Sequence, residues 1–420
     1  MTPKVLVISN NCFSKTDSNG RTLGNFFLGW DKSCLAQFYI QNSQPDFDYC
    51  QNYFRVTDAQ ALAAFKTGKC NGGVVEKPEE NPGNSAGQGA SKNKRNALTL
   101  TARNLVWQSG RWQKCGFWKW VAEFAPDVVF MQAGDCAFMY RIAVKVAKKQ
   151  NAKLVIYNSE GYYFKDFDYF RSSGLAKMMY PMFFRDMKKA LQKAYHASER
   201  IIYLCDSLKR AYDQEFSVPS ETVYTASELT ACESEKQNPV FTVSYCGNLG
   251  LDRHKGLMDI ANALQKISKD IFVDVYGRAS EAVKAEFAGC PGIHYHGLIP
   301  YEQVKTVMYS SDLILHTESF DEFYREDLKF ALSTKIADAL SCGTCFLLYA
   351  PENLACSQYL LENQAAYVVT EKSDLSDVLQ QLVAEPETRK KYIPQALALA
   401  EKNHRAEINI KRFQNILKNL

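Results

Sequence analysis

Short apolar runs alternate with helical segments twice along the chain, and this alternation limits what the chain can fold into. In the second half, helical segments separate the runs FTVSYCG, FVDVYG, IHYHG, LILHT, CFLLYA and AAYVV. In the first half, the corresponding runs are KVLVISN, LAQFYI, DVVFMQ, LVIYNS and RIIYLCD. Strands that are apolar throughout and connected by helices are typical of parallel sheets with helices on both faces. The sequence therefore predicts an α/β protein.

The chain has 420 residues, which is too long for one compact core. We predict two Rossmann-like domains facing across a cleft, the first over 1–228 and the second over 238–400. Residues 401–420 form a predicted helix that could pack back on the first domain. Residues 76–96 are rich in Pro, Gly, Asn and Ser, which predicts a flexible insertion.

Composition excludes some classes of function. The net charge of +4 is small for this length and gives no support to nucleic-acid binding. The chain has no apolar run of about eighteen residues, so we expect a cytoplasmic protein without a spanning helix. Residues 175–199 mix Met and aromatic residues with Lys and Arg. Such a helix either packs on its own sheet or lies on a membrane surface, which leaves a place at the inner face of the plasma membrane open.

Glycine and basic residues follow the run FTVSYCG. Gly247 and Gly250 suit a close approach of a ligand to the backbone, and Arg253 and Lys255 follow in the loop before a helix. Two positive charges at one crevice would bind a diphosphate, whose negative charge grows as its bond to a sugar breaks. The alternative is a solvated basic turn.

Two other segments place acidic and basic side chains near strand ends. The run LILHT delivers Glu318 into a loop, where it could accept hydrogen bonds from sugar hydroxyls or simply face solvent. Before CFLLYA, a helix ending at Gly343 places Lys335 and Asp338 on one face. They form either an exposed ion pair or a ligand site near a helix N-terminus.

The order of these segments resembles the C-terminal domain of the GT-B retaining glycosyltransferases of family 4 (glycosyltransferase group 1). The resemblance covers about 240–400, and over the first 230 residues it is mainly topological. Three departures stand out: Asp338 replaces the usual Glu, nineteen residues rather than seven separate it from Glu318, and Cys345 replaces the usual Pro.

The resemblance implies roles for individual residues. Arg253 and Lys255 would hold the donor diphosphate, and Glu318 would contact the donor sugar. Asp338 would bind the ribose hydroxyls. The predicted donor-binding set is Asn19, Gly20, Arg21, Gly247, Asn248, Gly277, Gly297, Leu298, Ile299, Ser319, Phe320, Ser333, Lys335 and Asp338.

In the first half, the segment DSNGRTLGNF resembles the glycine-rich loop that approaches the donor phosphates and the acceptor in this fold. Gly20 could adopt a positive φ there, flanked by Asn19 and Arg21, although an ordinary strand-to-helix turn is an equal alternative. Glu160 follows the run LVIYNS and is a candidate catalytic residue near the reacting centre, with Arg253, Lys255 and Glu318.

The resemblance implies a metal-independent transferase without a cofactor, acting with retention in cell-surface polysaccharide or glycoconjugate synthesis. Its partners would be a nucleotide-sugar donor and a saccharide or lipid-linked acceptor, with no nucleic acid and with peripheral membrane contact left open. Two alternatives remain: a nucleotide-sugar epimerase of the same fold, and a catalytically silent glycan-binding or scaffold relative.

Two short motifs are weaker indications. Asp166 and Asp168 have the spacing of a metal-binding Asp-x-Asp, which is short enough to occur by chance. His294 and His296 alternate along a strand with no carboxylate or Cys nearby in the sequence, so we interpret them as ordinary strand residues.

Overall fold

The computed structural model describes residues 2–15, 17–77, 95–231 and 238–420. The chain divides into two compact units. The first unit comprises Met1–Val223 with Ile410–Leu420, and the second comprises Tyr224–Asn409. Most of the predicted insertion, 78–94, and residues 232–237 of the predicted linker lie outside the described residues. Each unit contains a sheet of mainly parallel strands, so the predicted α/β class with two Rossmann-like domains is confirmed.

The strands of the first unit are β1 (Val5–Ser9), β2 (Leu35–Tyr39), β3 (Asn52–Arg55), β4 (Gly73–Val75), β5 (Val128–Gln132), β6 (Lys153–Asn158), β7 (Arg200–Tyr203) and β8 (Ser220–Thr222). Among the described residues they form one sheet in the order β4–β3–β2–β1–β5–β6–β7–β8. All pairs are parallel except β3 with β4. β3, β4 and β8 were not predicted, because they are short and carry polar or glycine residues instead of a continuous apolar run.

The helices of the first unit are α1 (Ser18–Phe26), α2 (Asp58–Thr67), α3 (Ala97–Gln108), α4 (Phe117–Phe124), α5 (Ala137–Gln150), α6 (Gly174–His196) and α7 (Asp206–Asp213). The chain returns to this unit at its C-terminal end. Phe413 stacks on Phe26 with ring centroids 4.5 Å apart and meets the edge of Phe130 at 5.2 Å. The last turns of the chain therefore complete the aromatic core of the first unit.

The strands of the second unit are β9 (Val243–Cys246), β10 (Val273–Tyr276), β11 (Ile293–Gly297), β12 (Leu313–Thr317), β13 (Cys345–Tyr349) and β14 (Tyr367–Val369). Its helices are α8 (Arg253–Ile267), α9 (Glu281–Ala288), α10 (Tyr301–Ser310), α11 (Glu322–Leu328), α12 (Thr334–Ser341), α13 (Ala355–Glu362), α14 (Lys372–Ala384), α15 (Pro386–Arg389) and α16 (Ile393–Asn403), and α17 (Ala406–Lys418) begins here. All six predicted strands are present.

The strand order of the second sheet determines where a ligand can bind. The described strands are parallel and run β11–β10–β9–β12–β13–β14. From β9 the chain proceeds to β10 on one side, and it later returns to β12 on the other. The loops that leave the carboxyl ends of β9 and β12 therefore diverge and leave a crevice between them. Residues 247–252 and 318–321 form these two loops.

No helix among the described residues is long and apolar enough to cross a membrane.

Candidate functional site

An ion pair joins the two loops at this crevice. Arg253, the first residue of α8, donates from Nε to Glu318 Oε2 at 2.7 Å and from Nη2 to Glu318 Oε1 at 3.1 Å. The side chains of Arg253 and Glu318 are 13% and 1% exposed, respectively. A two-point contact between a guanidinium and a carboxylate fixes the direction of both groups. The structure thus brings together two residues that the sequence analysis assigned to one site.

His316 is the third member of this buried cluster. Its Nε2 lies 3.1 Å from Glu318 Oε1, and because a carboxylate only accepts, this nitrogen is the donor. Burial alone would raise the pKa of Glu318, but the hydrogen bond and charge of His316 and the charge of Arg253 lower it below its ordinary value. Glu318 is therefore an ionised carboxylate held by donors on two sides. His316 belongs to the predicted run LILHT, and no role was predicted for it.

The backbone around the ion pair is held by neighbouring strands. Thr317 Oγ1 donates to the carbonyl of Arg253 at 2.9 Å, and the amide of Glu318 donates to Tyr349 O at 3.1 Å. A Cβ on Gly256 would lie 3.1 Å from Thr317 Cβ, so a glycine allows α8 to approach the end of β12. These contacts determine where Arg253 and Glu318 can lie.

The start of α8 has an unusual backbone. Leu251 and Asp252 have φ values of 59° and 57°, the left-handed region that costs non-glycine residues roughly 1–3 kcal/mol each. Strain of this kind is concentrated at functional sites. The two residues precede Arg253 directly, and no sequence motif indicated their conformation.

The surroundings of Lys255 differ from those of Arg253. Its Nζ lies 2.6 Å from Asp252 Oδ2, and its side chain is 58% exposed. The hydrogen bond that Lys255 donates to Asp252 raises the pKa of Lys255, and the charge of Asp321 acts in the same direction. Lys255 therefore lies on the solvent side of the helix start, while Arg253 points to the buried carboxylate.

Three glycines connect the carboxyl ends of β9, β10 and β11. The amide of Gly247 donates to Tyr276 O at 2.9 Å, and that of Gly277 donates to Gly297 O at 2.8 Å. A Cβ on Gly277 would lie 1.9 Å from Gly247 O, and Gly297 has a φ of 79°. A side chain is therefore sterically excluded at Gly277 and disfavoured by the backbone conformation at Gly297.

The predicted ribose residue, Asp338, accepts two hydroxyl hydrogen bonds. Ser227 Oγ and Tyr301 Oη donate to Asp338 Oδ1 at 2.6 and 3.2 Å. Burial raises the pKa of Cys246 to about 12, the charge of Asp338 adds to this rise, and Lys335 opposes it. Asp338 and Lys335 thus act electrostatically at the end of β9, where Gly247 begins the crevice. Neither Ser227 nor Tyr301 was predicted from the sequence.

The other predicted donor residues of the second unit lie on its loops and at the start of α12. Asn248 Oδ1 accepts from the amide of Gly250 at 2.9 Å, and Ser319 Oγ accepts from the amide of Asp321 at 3.1 Å. Ser333 caps α12 through the amide of Lys335 at 3.3 Å. Leu298 is 70% exposed beside the partly buried Ile299, and the ring of Phe320 lies 4.5 Å from that of Tyr349.

The nineteen residues between Glu318 and Asp338 form folded structure. Asp321 caps α11, and Leu328 and Leu332 are buried. The carbonyl of Lys329 accepts a hydrogen bond from the amide of Ala355 at 2.9 Å, which joins this segment to α13. Phe323 remains 56% exposed on α11.

A cleft of about 1120 Å³ opens in the first unit at the carboxyl ends of β1, β5 and β6. Asn19 and Glu160 both line it. Glu160 is about half exposed, with Lys165 Nζ 3.9 Å from its carboxylate. The exposed Arg21 lies one turn into α1. The structure therefore places two of the predicted residues at the wall of one cleft.

Gly20 lies in α1, and the expectation of a positive φ there was wrong. A Cβ at this position would lie 2.3 Å from Cys12 O. The glycine is needed because the helix start passes close to the loop after β1.

Two ion pairs in this cleft were not predicted. Arg95 Nη2 lies 2.5 Å from Asp135 Oδ2, and Asp135 also accepts from Tyr169 Oη at 3.0 Å. Asp58 Oδ1 accepts from Arg103 Nε at 2.7 Å and from the indole of Trp107 at 2.9 Å. Each guanidinium is matched by a carboxylate. The position of Asp135 after β5 was the available sequence signal.

The two short motifs, the His294 and His296 pair and the Asp166 and Asp168 pair, have different surroundings in the structure. His294 and His296 do have a carboxylate partner, because Asp274 on the adjacent β10 lies 3.7 Å from His294 Nδ1 and 2.6 Å from His296 Nε2. Asp168 accepts from the amides of Phe170 and Ser172 at 3.1 and 2.9 Å, which is the role of a turn residue. The described part of the chain contains no group of three or more His, Cys, Asp or Glu residues arranged to hold a metal ion.

Comparisons with known proteins agree with this architecture. Residues 255–415 match the family described as Glycosyl transferase-like. No curated protein matches the chain.

Several solved structures match nearly the whole chain. HepE of Anabaena in complex with UDP has a TM-score of 0.62 at 12% identity, covering 99% of this chain and 100% of that chain. Sucrose-phosphate synthase of Thermosynechococcus elongatus has a TM-score of 0.63 at 10% identity, covering 99% and 98%. The lipopolysaccharide outer core galactosyltransferase WaaB has a TM-score of 0.61 at 12% identity, covering 99% and 100%. The fold is thus that of the GT-B glycosyltransferases.

Proposed function

We propose that this protein transfers a sugar from a nucleotide-sugar donor to a saccharide or lipid-linked acceptor. The observation that carries the proposal is the buried ion pair of Arg253 and Glu318 at the point where the strand order of the second sheet reverses. Ligands of open α/β sheets bind at such points. The match of 255–415 to a glycosyltransferase family supports the same conclusion.

The second unit would bind the donor. Arg253 and Lys255 would stabilise the leaving diphosphate, together with the positive end of α8. Both cations have a carboxylate partner, Glu318 for Arg253 and Asp252 for Lys255, but Lys255 is 58% exposed and is therefore more accessible to an incoming diphosphate. Glu318 is ionised and would accept hydrogen bonds from hydroxyls of the donor sugar.

The nucleoside would bind along the glycine edge. The backbone of 297–299 would contact the base, and Asp338 would accept hydrogen bonds from the ribose hydroxyls. Ser227 and Tyr301 already supply hydroxyl donors to Asp338, which is the chemistry that ribose would offer. UDP is the first probe to use, because HepE is crystallised with UDP and with UDP-glucose.

The first unit would bind the acceptor in the cleft that Asn19 and Glu160 line. Its two guanidinium groups are each matched by a carboxylate, so the cleft suits the hydroxyls of a saccharide better than an isolated anion. We further propose transfer with retention, without a metal, in cell-surface polysaccharide or glycoconjugate synthesis. Glu160 would lie near the reacting centre.

The experiment that tests this function combines binding and product analysis. Isothermal titration with UDP and other nucleoside diphosphates should show binding to the wild-type protein and at least about tenfold weaker binding to Asp338→Ala. Incubation with a donor panel and saccharide acceptors should then yield an acceptor extended by one sugar. Interconversion of the donor without acceptor would show an epimerase instead. Failure to bind any nucleoside diphosphate would favour a catalytically silent relative.

A further inference from the structure

Helix α6 of the first unit exposes an apolar face. Leu175, Met178 and Met182 are 60%, 78% and 51% exposed. Their spacing of three and four residues places them on one side of the helix, over two turns. Large apolar side chains this exposed on one face are uncommon in a protein that is surrounded by water alone.

The exposed face is separate from the face that packs on the protein. Tyr180, Phe183 and Met187 are at most 3% exposed, and Tyr180 and Phe183 pack with Ala97 and Leu100 of α3. Packing of α6 on its own unit therefore accounts for one apolar face and leaves the second unexplained. α3 also exposes Leu98 and Leu105, at 40% and 62%.

The charges beside this face are basic. The exposed positions of α6 include Lys177, Arg185, Lys189 and Lys193. The helix has one acidic residue, Asp186, and its carboxylate is bound by Arg141 at 3.2 Å through Nη1 and by a second contact through Nη2. The solvent side of α6 therefore combines apolar side chains with an excess of positive charge.

We propose that α6 docks the protein on an anionic lipid surface, with Leu175, Met178 and Met182 entering the interface and the basic residues facing the headgroups. A helix with apolar side chains on one face and Lys and Arg beside them has the composition of an interfacial helix. Anionic headgroups complement the basic residues, whereas a neutral surface would leave their attraction unused. The inference does not depend on the transfer reaction.

Vesicle sedimentation tests the proposal with the full chain and without donor or acceptor. The protein should sediment with vesicles of phosphatidylcholine and phosphatidylglycerol and much less with phosphatidylcholine alone, and added salt should weaken the binding. Met178→Asp/Met182→Asp should lower the partition coefficient at least about tenfold, because two apolar side chains are lost from the interface. Lys177→Gln/Lys189→Gln should lower it roughly fivefold or more on anionic vesicles.

Matched controls come from exposed residues of the second unit. Val240→Asp/Leu361→Asp changes two apolar residues that are each 43% exposed, and Lys266→Gln/Lys269→Gln removes two exposed charges. Both controls should bind as the wild type does. Circular dichroism should show that all variants remain folded, and each should retain transfer to a water-soluble acceptor.

Three results would overturn the proposal. One is a wild-type protein that stays in the supernatant with anionic vesicles, and another is equal loss of binding in the control variants. The third is self-association in analytical ultracentrifugation that Met178→Asp/Met182→Asp abolishes while vesicle binding is unchanged, since this would assign the face to a second copy of the chain. None of these results bears on nucleotide binding, so the proposed function would be judged separately.

Discussion

Arg253 and Glu318 are 65 positions apart in the chain and share a two-point ion pair at 2.7 and 3.1 Å. The pair joins the loop after β9 to the loop after β12, and Glu318 is only 1% exposed. A buried ion pair contributes little net free energy to folding, because the cost of taking both charges out of water offsets their attraction. Removing one partner is nevertheless destabilising, because the other charge stays buried without its counter-charge. The positions of both loops therefore depend on the side chain of Glu318.

Glu318→Gln should strongly impair the protein. The amide oxygen could take the place of Oε1, but its NH2 group only donates and cannot accept from Arg253 Nε as Oε2 does. The amide also leaves the guanidinium buried without its counter-charge. We expect a loss of roughly 3–5 kcal/mol in the free energy of unfolding, measured by urea unfolding followed by circular dichroism. Turnover of a nucleotide-sugar donor should fall at the same time.

The control for this variant is Glu322→Gln on α11, whose carboxylate is 72% exposed beside Arg325. A surface pair of this kind contributes about 0–1 kcal/mol, so stability and turnover should stay close to wild type. Equal stability of Glu318→Gln and Glu322→Gln would contradict the role assigned to the buried pair.

His404 should make the stability of the second unit depend on pH. Its Nδ1 donates to Thr225 O at 2.7 Å, and its Nε2 lies 2.9 Å from Tyr359 Oη. Burial lowers the pKa of His404 to about 4, against about 6.5 in an unfolded chain. Between these values the unfolded state binds more protons, so stability is complete above pH 6.5 and falls toward pH 4, by about 3 kcal/mol at most.

Urea unfolding at a series of pH values checks this. The loss of stability from pH 6.5 to pH 4 should be smaller in His404→Gln than in the wild type, because this variant lacks the titrating ring. His294→Gln removes an exposed imidazole and should keep the full wild-type dependence. An unchanged slope in His404→Gln would show that other groups cause the acid sensitivity.

The strands of the second sheet were predicted more completely from the sequence than those of the first sheet. All strands of the second sheet were predicted. The central strands β9, β12 and β13 are buried along their whole length and have mainly apolar sequences, whereas β10 and β11 alternate buried with more exposed residues. β4 and β8 have three residues each at the edges of the first sheet, where burial is incomplete. The sequences of β4 and β8 contain no apolar run long enough to predict a strand.

The positions of the candidate site residues could be inferred from the sequence, but their contacts could not. Glycines and charges that follow strands indicated the crevice, because carboxyl strand ends meet at one edge of a parallel sheet. The partners of these residues depend on tertiary structure. Asp338 accepts from Ser227, 111 positions away, and Asp274 lies beside His296, 22 positions away. No spacing rule connects such pairs.

Lys255→Ala should reduce turnover and leave the fold intact. The side chain is 58% exposed and bonds Asp252, so its removal changes stability by about 0–1 kcal/mol. If Lys255 stabilises charge that develops on the diphosphate, the turnover number should fall roughly 10²–10³-fold. Lys266→Ala, in the last turn of the same helix, is the matched control and should keep wild-type turnover. Unchanged turnover in Lys255→Ala would remove this residue from the mechanism.

Gly277→Ala should disrupt the edge that we propose for the nucleoside. The added Cβ would lie 1.9 Å from Gly247 O, so the ends of β9 and β10 must move apart. Overpacking of this kind costs about 1–3 kcal/mol, and the displaced backbone should weaken UDP binding at least about tenfold in calorimetry.

Gly289→Ala separates this effect from the general effect of adding a methyl group. Gly289 follows α9 with a φ of −85°, and its Cβ would lie 3.4 Å from Glu286 O. The substitution should therefore change the free energy of unfolding by no more than about 1 kcal/mol. It should leave the affinity for UDP unchanged. If Gly277→Ala were destabilised yet bound UDP as tightly as Gly289→Ala, the nucleoside would have to bind away from the glycine edge. Backbone hydrogen bonds join Gly277 to Gly297 and Gly247 to Tyr276. That result would therefore also exclude Gly247 and Gly297 from the proposed nucleotide-sugar site.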